Sequence, residues 1–128
     1  MLSSLLEAAI SGGAYTIERG ADQVDDVIWV GDAAAGVVTA ALHGGSLDPL
    51  YNIATGARRT IAELVDEIGA ACPQARLEVG PGLHYMGPEP TYGVLDPSRA
   101  RATLGFRADP GMARGVRLFR EALAELAV

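Results

Sequence analysis

Lysine is absent from the chain: all ten basic residues are arginine. That absence excludes a Schiff-base lysine, a phosphate-binding Walker lysine and a Tyr/Lys catalytic pair. Cysteine occurs once, as Cys72, so no internal disulfide can form and a reducing, cytoplasmic setting is expected. Positive charge is scarce as well. Ten Arg against 16 Asp and Glu leave a net charge of −6, which argues against a surface that tracks nucleic-acid phosphates. No apolar run approaches the ~20 residues of a membrane span. The opening stretch, MLSSLLEAAI, lacks a basic n-region and a cleavage pattern, so no signal peptide is expected. The two histidines, His43 and His84, lie far apart with no Cys or carboxylate at ligand spacing, and no metal site is expected.

What is present is an apolar, moderately charged chain. With 128 residues, 49% hydrophobic and 20% charged, it reads as one soluble globular domain over 1–128. The pattern alternates between helix and strand. Leu2, Leu5, Leu6, Ala9 and Ile10 recur at helical spacing, with Ser4 and Glu7 placed for a capping box and Gly12-Gly13 as a stop. AYTIE (14–18) is a short strand candidate. VIWV (27–30) reads as a buried strand, after which Asp32 stands where the N-cap of a helix over 33–42 is expected. LYNIA (50–54) reads as another strand. Thr60-x-x-Glu63 opens a helix with Ile61, Leu64, Val65 and Ile68 on one face, and RLEV (76–79) is a third apolar strand. Asp96-Pro97 and Asp109-Pro110 each place an N-cap before an N1 proline. Gly105 stops the first of these helices, and Met112, Val116, Phe119, Leu123 and Leu126 line the second. The class is α/β, with short strands and amphipathic helices.

Few residues advertise chemistry. Asp32 is read as a structural cap, because no acid or base partner is near in sequence. Cys72, at a helix end without a cation close by in sequence, reads as an inert core thiol. The Thr-Gly turn of YNIATG suits a phosphate weakly, since neither a G-x-G-x-x-G nor a P-loop accompanies it. Arg58 and Arg59, before the Thr60 cap, could hold an anion beside a helix N-terminus or form a solvated pair. His84, Tyr85 and Tyr92, in the Gly/Pro-rich stretch 80–95, could line a pocket or pin a long loop. That stretch and the Arg58-Arg59 turn are expected to flank one pocket.

Taken in order, three segments resemble the extended short-chain dehydrogenases/reductases, the NAD-dependent epimerase/dehydratase family. DDVIWVGDAA is similar to the family's R-D-F-[IV]-[HY]-V-x-D-[VL]-A. LYNIATGARRTIAELVDEI is similar to its YNIG-(S/T)-G…(S/T)-x-x-E-(L/I) segment. LDPSRARATLGFRADPGMARGVRLF is similar to its D-x-(S/T)-K-A-x-x-x-L-G-(W/F)-x-P and final amphipathic helix. Together they cover about residues 1–125, with Arg99 at the family lysine and its charge kept.

These segments belong to the family's C-terminal, substrate-side part. The resemblance therefore implies a substrate-binding-like domain without the N-terminal Rossmann half, whose glycine fingerprint and Tyr-x-x-x-Lys pair this sequence does not contain. NAD(P) is implied for a full-length parent and no cofactor for these residues alone. The sequence is then a domain of a longer enzyme, a truncated gene product, or a free-standing binding or interaction module that kept the fold and lost the chemistry. Two departures bear on the ligand. The family's phosphate-holding Arg of the first segment is Asp25 here, and the Arg of an R-P-G-D motif is matched by Met86. An acid and a thioether do not suit a diphosphate, which leaves two readings open: a less charged, sugar-like ligand, with Arg58, Arg59, His84, Tyr85, Met86 and Tyr92 as its candidate contacts, or a lost function. The apolar strands imply a partner: self-association or the Rossmann half.

Overall fold

A computed structural model describes residues 2–46, 48–83 and 94–126. In chain order the elements are α1 (Leu2–Ser11), β1 (Ala14–Ile17), β2 (Val24–Asp25), α2 (Val30–Ala41), β3 (Arg59–Thr60), α3 (Ile61–Ala71), β4 (Arg76–Val79), a five-residue π-helix (Ala100–Leu104) and α4 (Met112–Leu126). They form two compact units. Unit 1 takes residues 1–24, 59–92 and 111–128; unit 2 takes 25–58 and 93–110.

Unit 1 is built around α3. Thr60 holds extended backbone angles and its hydroxyl accepts the Glu63 N–H, while the Glu63 carboxylate accepts the Thr60 N–H at 2.7 Å. Two otherwise orphan donors of the first turn are thereby satisfied. The i, i+3, i+4, i+7 series Ile61, Leu64, Val65 and Ile68 is fully buried, each side chain contributing about 1.5–3 kcal/mol of burial. Helix α3 contacts α1 and α4, and Leu5 and Ala9 of α1, Met112 and Val116 of α4, and Cys72 are buried as well. Glu67, on the flank of α3, is shared. One oxygen pairs with the Arg59 guanidinium and the other accepts the Met112 N–H at 3.1 Å, which places a carboxylate at the N-terminus of α4.

The parallel pair β1–β4 carries the rest of the unit, with Tyr15 opposite Leu77 and Ile17 opposite Val79. Ile17 is buried and Tyr15, Leu77 and Val79 are half-buried, while Ala14, Thr16, Arg76 and Glu78 are exposed, so the two-residue period of each strand covers one face in part. At the strand ends the Gly80 N–H donates to the Ile17 carbonyl, and the Gly80 carbonyl accepts from Gly20 and Ala21. A Cβ on Gly80 would lie 1.9 Å from the Glu18 carbonyl oxygen.

Unit 2 has its own core: Ala100, Leu104 and Phe106, with Ile28, Ala40, Tyr51, Ile53 and Ala108 against them. Gly36 is the buried point of α2, and a Cβ there would meet Ile53 at 2.7 Å and Phe106 at 3.1 Å. A helix approaches this close only where a side chain is missing.

Several elements differ from the sequence-based reading. VIWV is not a strand: Val30 already belongs to α2, and 27–29 joins no ladder among the described residues. A short apolar run fits either element, and periodicity alone does not separate them. LYNIA likewise forms no ladder among the described residues. Trp29, not Asp32, is the N-cap of α2, and no side-chain hydrogen bond comes from that cap. Asp32 sits in the first turn, where its charge still favours the helix dipole, and accepts the Asp109 N–H at 3.3 Å. Asp109 is three residues ahead of α4, so Pro110 is not at N1. Ser4 lies inside α1 rather than ahead of it.

Two substitutions test this account in urea denaturation. Thr60→Ala costs about 1 kcal/mol. Gly80→Ala costs about 3 kcal/mol or more, because backbone rather than a flexible side chain must move; a loss under about 1 kcal/mol would contradict the close approach of the two strands.

Candidate functional site

The turn after the apolar run 50–54 is organised around Asp26. Its Oδ1 accepts the Thr55 N–H at 3.1 Å and the Thr55 hydroxyl, and its Oδ2 accepts the Gly56 N–H at 3.0 Å. The Thr55 hydroxyl in turn accepts the Ala57 N–H at 3.0 Å, and Thr55 is only 4% exposed. From the opposite side the Arg101 guanidinium donates to the Thr55 carbonyl at 2.8 Å. Gly56 has φ +72°, a left-handed conformation that favours glycine, and a Cβ there would press on Pro97 at 2.9 Å. Three successive backbone N–H groups thus converge, which is the geometry of an anion-binding nest. Here the anion is internal. With the Asp26 carboxylate and the Thr55 hydroxyl seated, this turn offers none of the three donors to a phosphate.

A small open pocket of about 190 Å³ lies beside it, lined by Leu50, Asn52, Asp96 and Arg99. The Asn52 amide donates to the Asp96 carbonyl at 3.0 Å, and the Arg99 guanidinium donates to the Leu50 carbonyl at 3.1 Å. Asp48 stands 3.8 Å from Arg99 Nε, and its own N–H donates to the Tyr51 hydroxyl at 2.9 Å. Asp96 precedes the helical stretch that leads into the π-helix. Its Oδ1 accepts both the hydroxyl and the N–H of Ser98, an Asx turn two residues ahead of the first helical residue rather than the expected cap. Gly105, at φ +66°, closes the same helix. The volume is below that of a typical small-molecule site, about 300–1,000 Å³. One guanidinium, two carboxylates and an amide suit hydroxyl groups better than a multiply charged anion. No nucleophile–base pair is formed by these groups.

The expected ligand residues fall as follows. Arg58 is exposed and ends the first segment of unit 2, whereas Arg59 lies in β3, its guanidinium paired with Glu67. His84, Tyr85, Met86 and Tyr92 lie outside the described residues, and with them most of the loop expected to share a pocket with Arg58 and Arg59. Asp26, Asn52 and Arg101 were missed as individual residues. For Asp26 a signal existed: an acid just before an apolar run, matched downstream by a Thr-Gly turn. Among the described residues no group of three or more His, Cys, Asp or Glu side chains could hold a metal ion. Cys72 is buried with the Arg120 guanidinium 3.4 Å from its Sγ.

Asp96 gives a pH test. The two hydrogen bonds from Ser98, hydroxyl first and then backbone, hold its carboxyl below the usual carboxylate range, with Arg101 adding to the effect. A depressed carboxylate contributes stability that is present above its unfolded pKa and is lost as pH falls through the folded one. The Asp96 carboxyl resonance is therefore expected to titrate below that of a free aspartate, and Ser98→Ala to move its midpoint upward. An unchanged midpoint in the variant would contradict the Ser98–Asp96 hydrogen bonds.

Neither a protein-family model nor a curated protein matches the chain. Solved structures do. The chain is 30% identical to the Bordetella bronchiseptica enzyme WbmF in complex with NAD+ and UDP, over 98% of this chain and 36% of that one, with a TM-score of 0.70. It is 27% identical to the Thermus thermophilus UDP-glucose 4-epimerase complexed with NAD, over 94% of this chain and 38% of that one, with a TM-score of 0.71. It is 23% identical to the UDP-N-acetylglucosamine 4-epimerase of Bacillus cereus, over 96% and 42%, with a TM-score of 0.76, a likeness of fold. The chain spans about two-fifths of the length of these enzymes. These 128 residues carry the fold of the C-terminal part of NAD-dependent UDP-sugar epimerases, members of the extended short-chain dehydrogenase/reductase family.

Proposed function

We propose that this chain is the substrate-side part of an NAD-dependent epimerase/dehydratase-like oxidoreductase, and that it is not catalytic without the part that binds the dinucleotide. The observation that carries the reading is the match over 98% of the chain, at 30% identity, to an enzyme solved with NAD+ and UDP. The residues themselves support a binding rather than a reacting role. Lysine is absent, and the pocket of Asn52, Asp96 and Arg99 contains hydrogen-bonding groups without a nucleophile and its base. The ligand in this reading is sugar-like and less anionic than a nucleoside diphosphate. Asp25 and Met86 occupy the positions of the family's two phosphate-holding arginines, and the donors of the 55–57 turn are already bound to Asp26 and Thr55.

Isothermal titration of the isolated chain with NAD+ and NADP+ is expected to give no saturable heat, and incubation with NAD+ and UDP-glucose no NADH absorbance and no epimer. Saturable NAD+ binding at micromolar concentration, about −8 kcal/mol, would overturn the assignment of the cofactor to the other part.

A further inference from the structure

The pocket of unit 2 contains none of the residues that the sequence marked for a ligand, yet its polar side chains are held in place by backbone. The Arg99 Nη1 donates to the Leu50 carbonyl and the Asn52 Nδ2 to the Asp96 carbonyl, so the side chains that line the pocket are tied to one another's main chain. Asp48, 3.8 Å from Arg99 Nε, is itself anchored by its N–H, which donates to the Tyr51 hydroxyl. What these bonds leave over is the surface that a ligand meets. Among the described residues, Asn52 Oδ1 and Asp96 Oδ2 accept no hydrogen bond and Arg99 Nη2 donates none. With the second N–H of the Asn52 amide, both donors and acceptors remain to be satisfied.

Charge selects among the ligands that could satisfy them. The Asp48 and Asp96 carboxylates repel an anion and the Arg99 guanidinium repels a cation, one negative charge being left in excess. A hydroxyl is neutral and both donates and accepts. Of two neighbouring hydroxyls, one can donate to Asp96 or Asn52 while the other accepts from Arg99. Leu50, 68% exposed, adds an apolar surface for the C–H face of a ring. The volume of about 190 Å³ is small even for one drug-sized molecule and has no room for a nucleoside diphosphate.

We propose that this pocket binds a single neutral sugar ring through a vicinal pair of hydroxyls, with Asn52, Asp96 and Arg99 as its polar contacts and Leu50 as its apolar one. The inference rests on the reading of a sugar-like ligand above and gives that ligand a place and a charge. Because Asn52 and Arg99 are already fixed by carbonyls, they lose little rotamer freedom on binding. The contacts are few and open to water, which sets the Kd at about 1–10 mM.

The test is a titration of the isotope-labelled chain with D-glucose, followed in amide and side-chain NMR spectra. Saturable shifts are expected at Asn52, Asp96 and Arg99. Asn52→Leu is expected to weaken binding about tenfold, the loss of one hydrogen-bonding group, and Leu50→Ala about threefold. Leu50 is exposed, so its variant keeps the fold and decides the matter if Asn52→Leu does not fold. Shifts that do not saturate, that lie elsewhere, or that survive both substitutions unchanged overturn the pocket. Sorbitol acting as strongly as glucose overturns the ring, and UDP or inorganic phosphate moving the same signals at lower concentration overturns the neutral ligand. The functional reading fails by a separate measurement. Saturable NAD+ heat from the isolated chain overturns that reading whatever glucose does, whereas an unmoved Asn52 signal overturns the pocket whatever NAD+ does.

Discussion

The carboxylate of Asp26 is the constraint on which unit 2 turns. It takes up two backbone N–H groups and a hydroxyl from a turn about thirty residues away in sequence, and Arg101 fastens the same turn from the other side. Charge-assisted hydrogen bonds of this kind are worth about 1.5–3 kcal/mol each when desolvated. Thr55 is buried at the end of the 50–54 run, and within that run Asn52 donates to the Asp96 carbonyl. The chemistry follows from the same bond. A turn whose donors are already bound to a carboxylate and a hydroxyl is a structural corner, whereas the same turn without Asp26 would attract an anion.

The sequence was most legible where a local rule and the tertiary structure agree. The Thr60–Glu63 box, the apolar stripe of α3 and the strands at 14 and 76 are all set by neighbours within four residues or by a two-residue period. The errors share a cause. VIWV and LYNIA are as apolar as buried strands, yet a strand exists only when a second one supplies its hydrogen bonds, and no residue within the run announces whether that partner is present. Asp32 was placed at a cap because helix onset was set by the supposed strand end; once Val30 joins the helix, Asp32 moves into its first turn. Asp109 was displaced by Glu67, a carboxylate from another helix that accepts the first N–H of α4. Long-range hydrogen bonds of this sort leave no periodic trace.

The candidate site was legible only in outline. The resemblance to the epimerase family rested on motif order, and it located the Thr-Gly turn and the Asp96–Arg99 segment without saying how they meet. Arg59 shows the limit from the other side. As a basic residue before a helix it qualified as an anion holder, but Glu67 is the anion it holds. In an acidic chain with ten cations and 16 carboxylates, an arginine is more readily claimed by a carboxylate of its own chain than left for a ligand.

Gly80 bears on how the β1–β4 ladder keeps its alignment. Its N–H donates to Ile17 and its missing side chain leaves room for the Glu18 carbonyl. Sliding β4 by one residue in either direction brings Val79 or Pro81 to that point. Valine would drive its Cβ into the carbonyl, and proline has no N–H to give. The pairing is thus read against its own misalignments, and a two-stranded parallel ladder of four residues, too short to specify its register by hydrophobic pattern alone, acquires a single permitted phase from one missing methyl group.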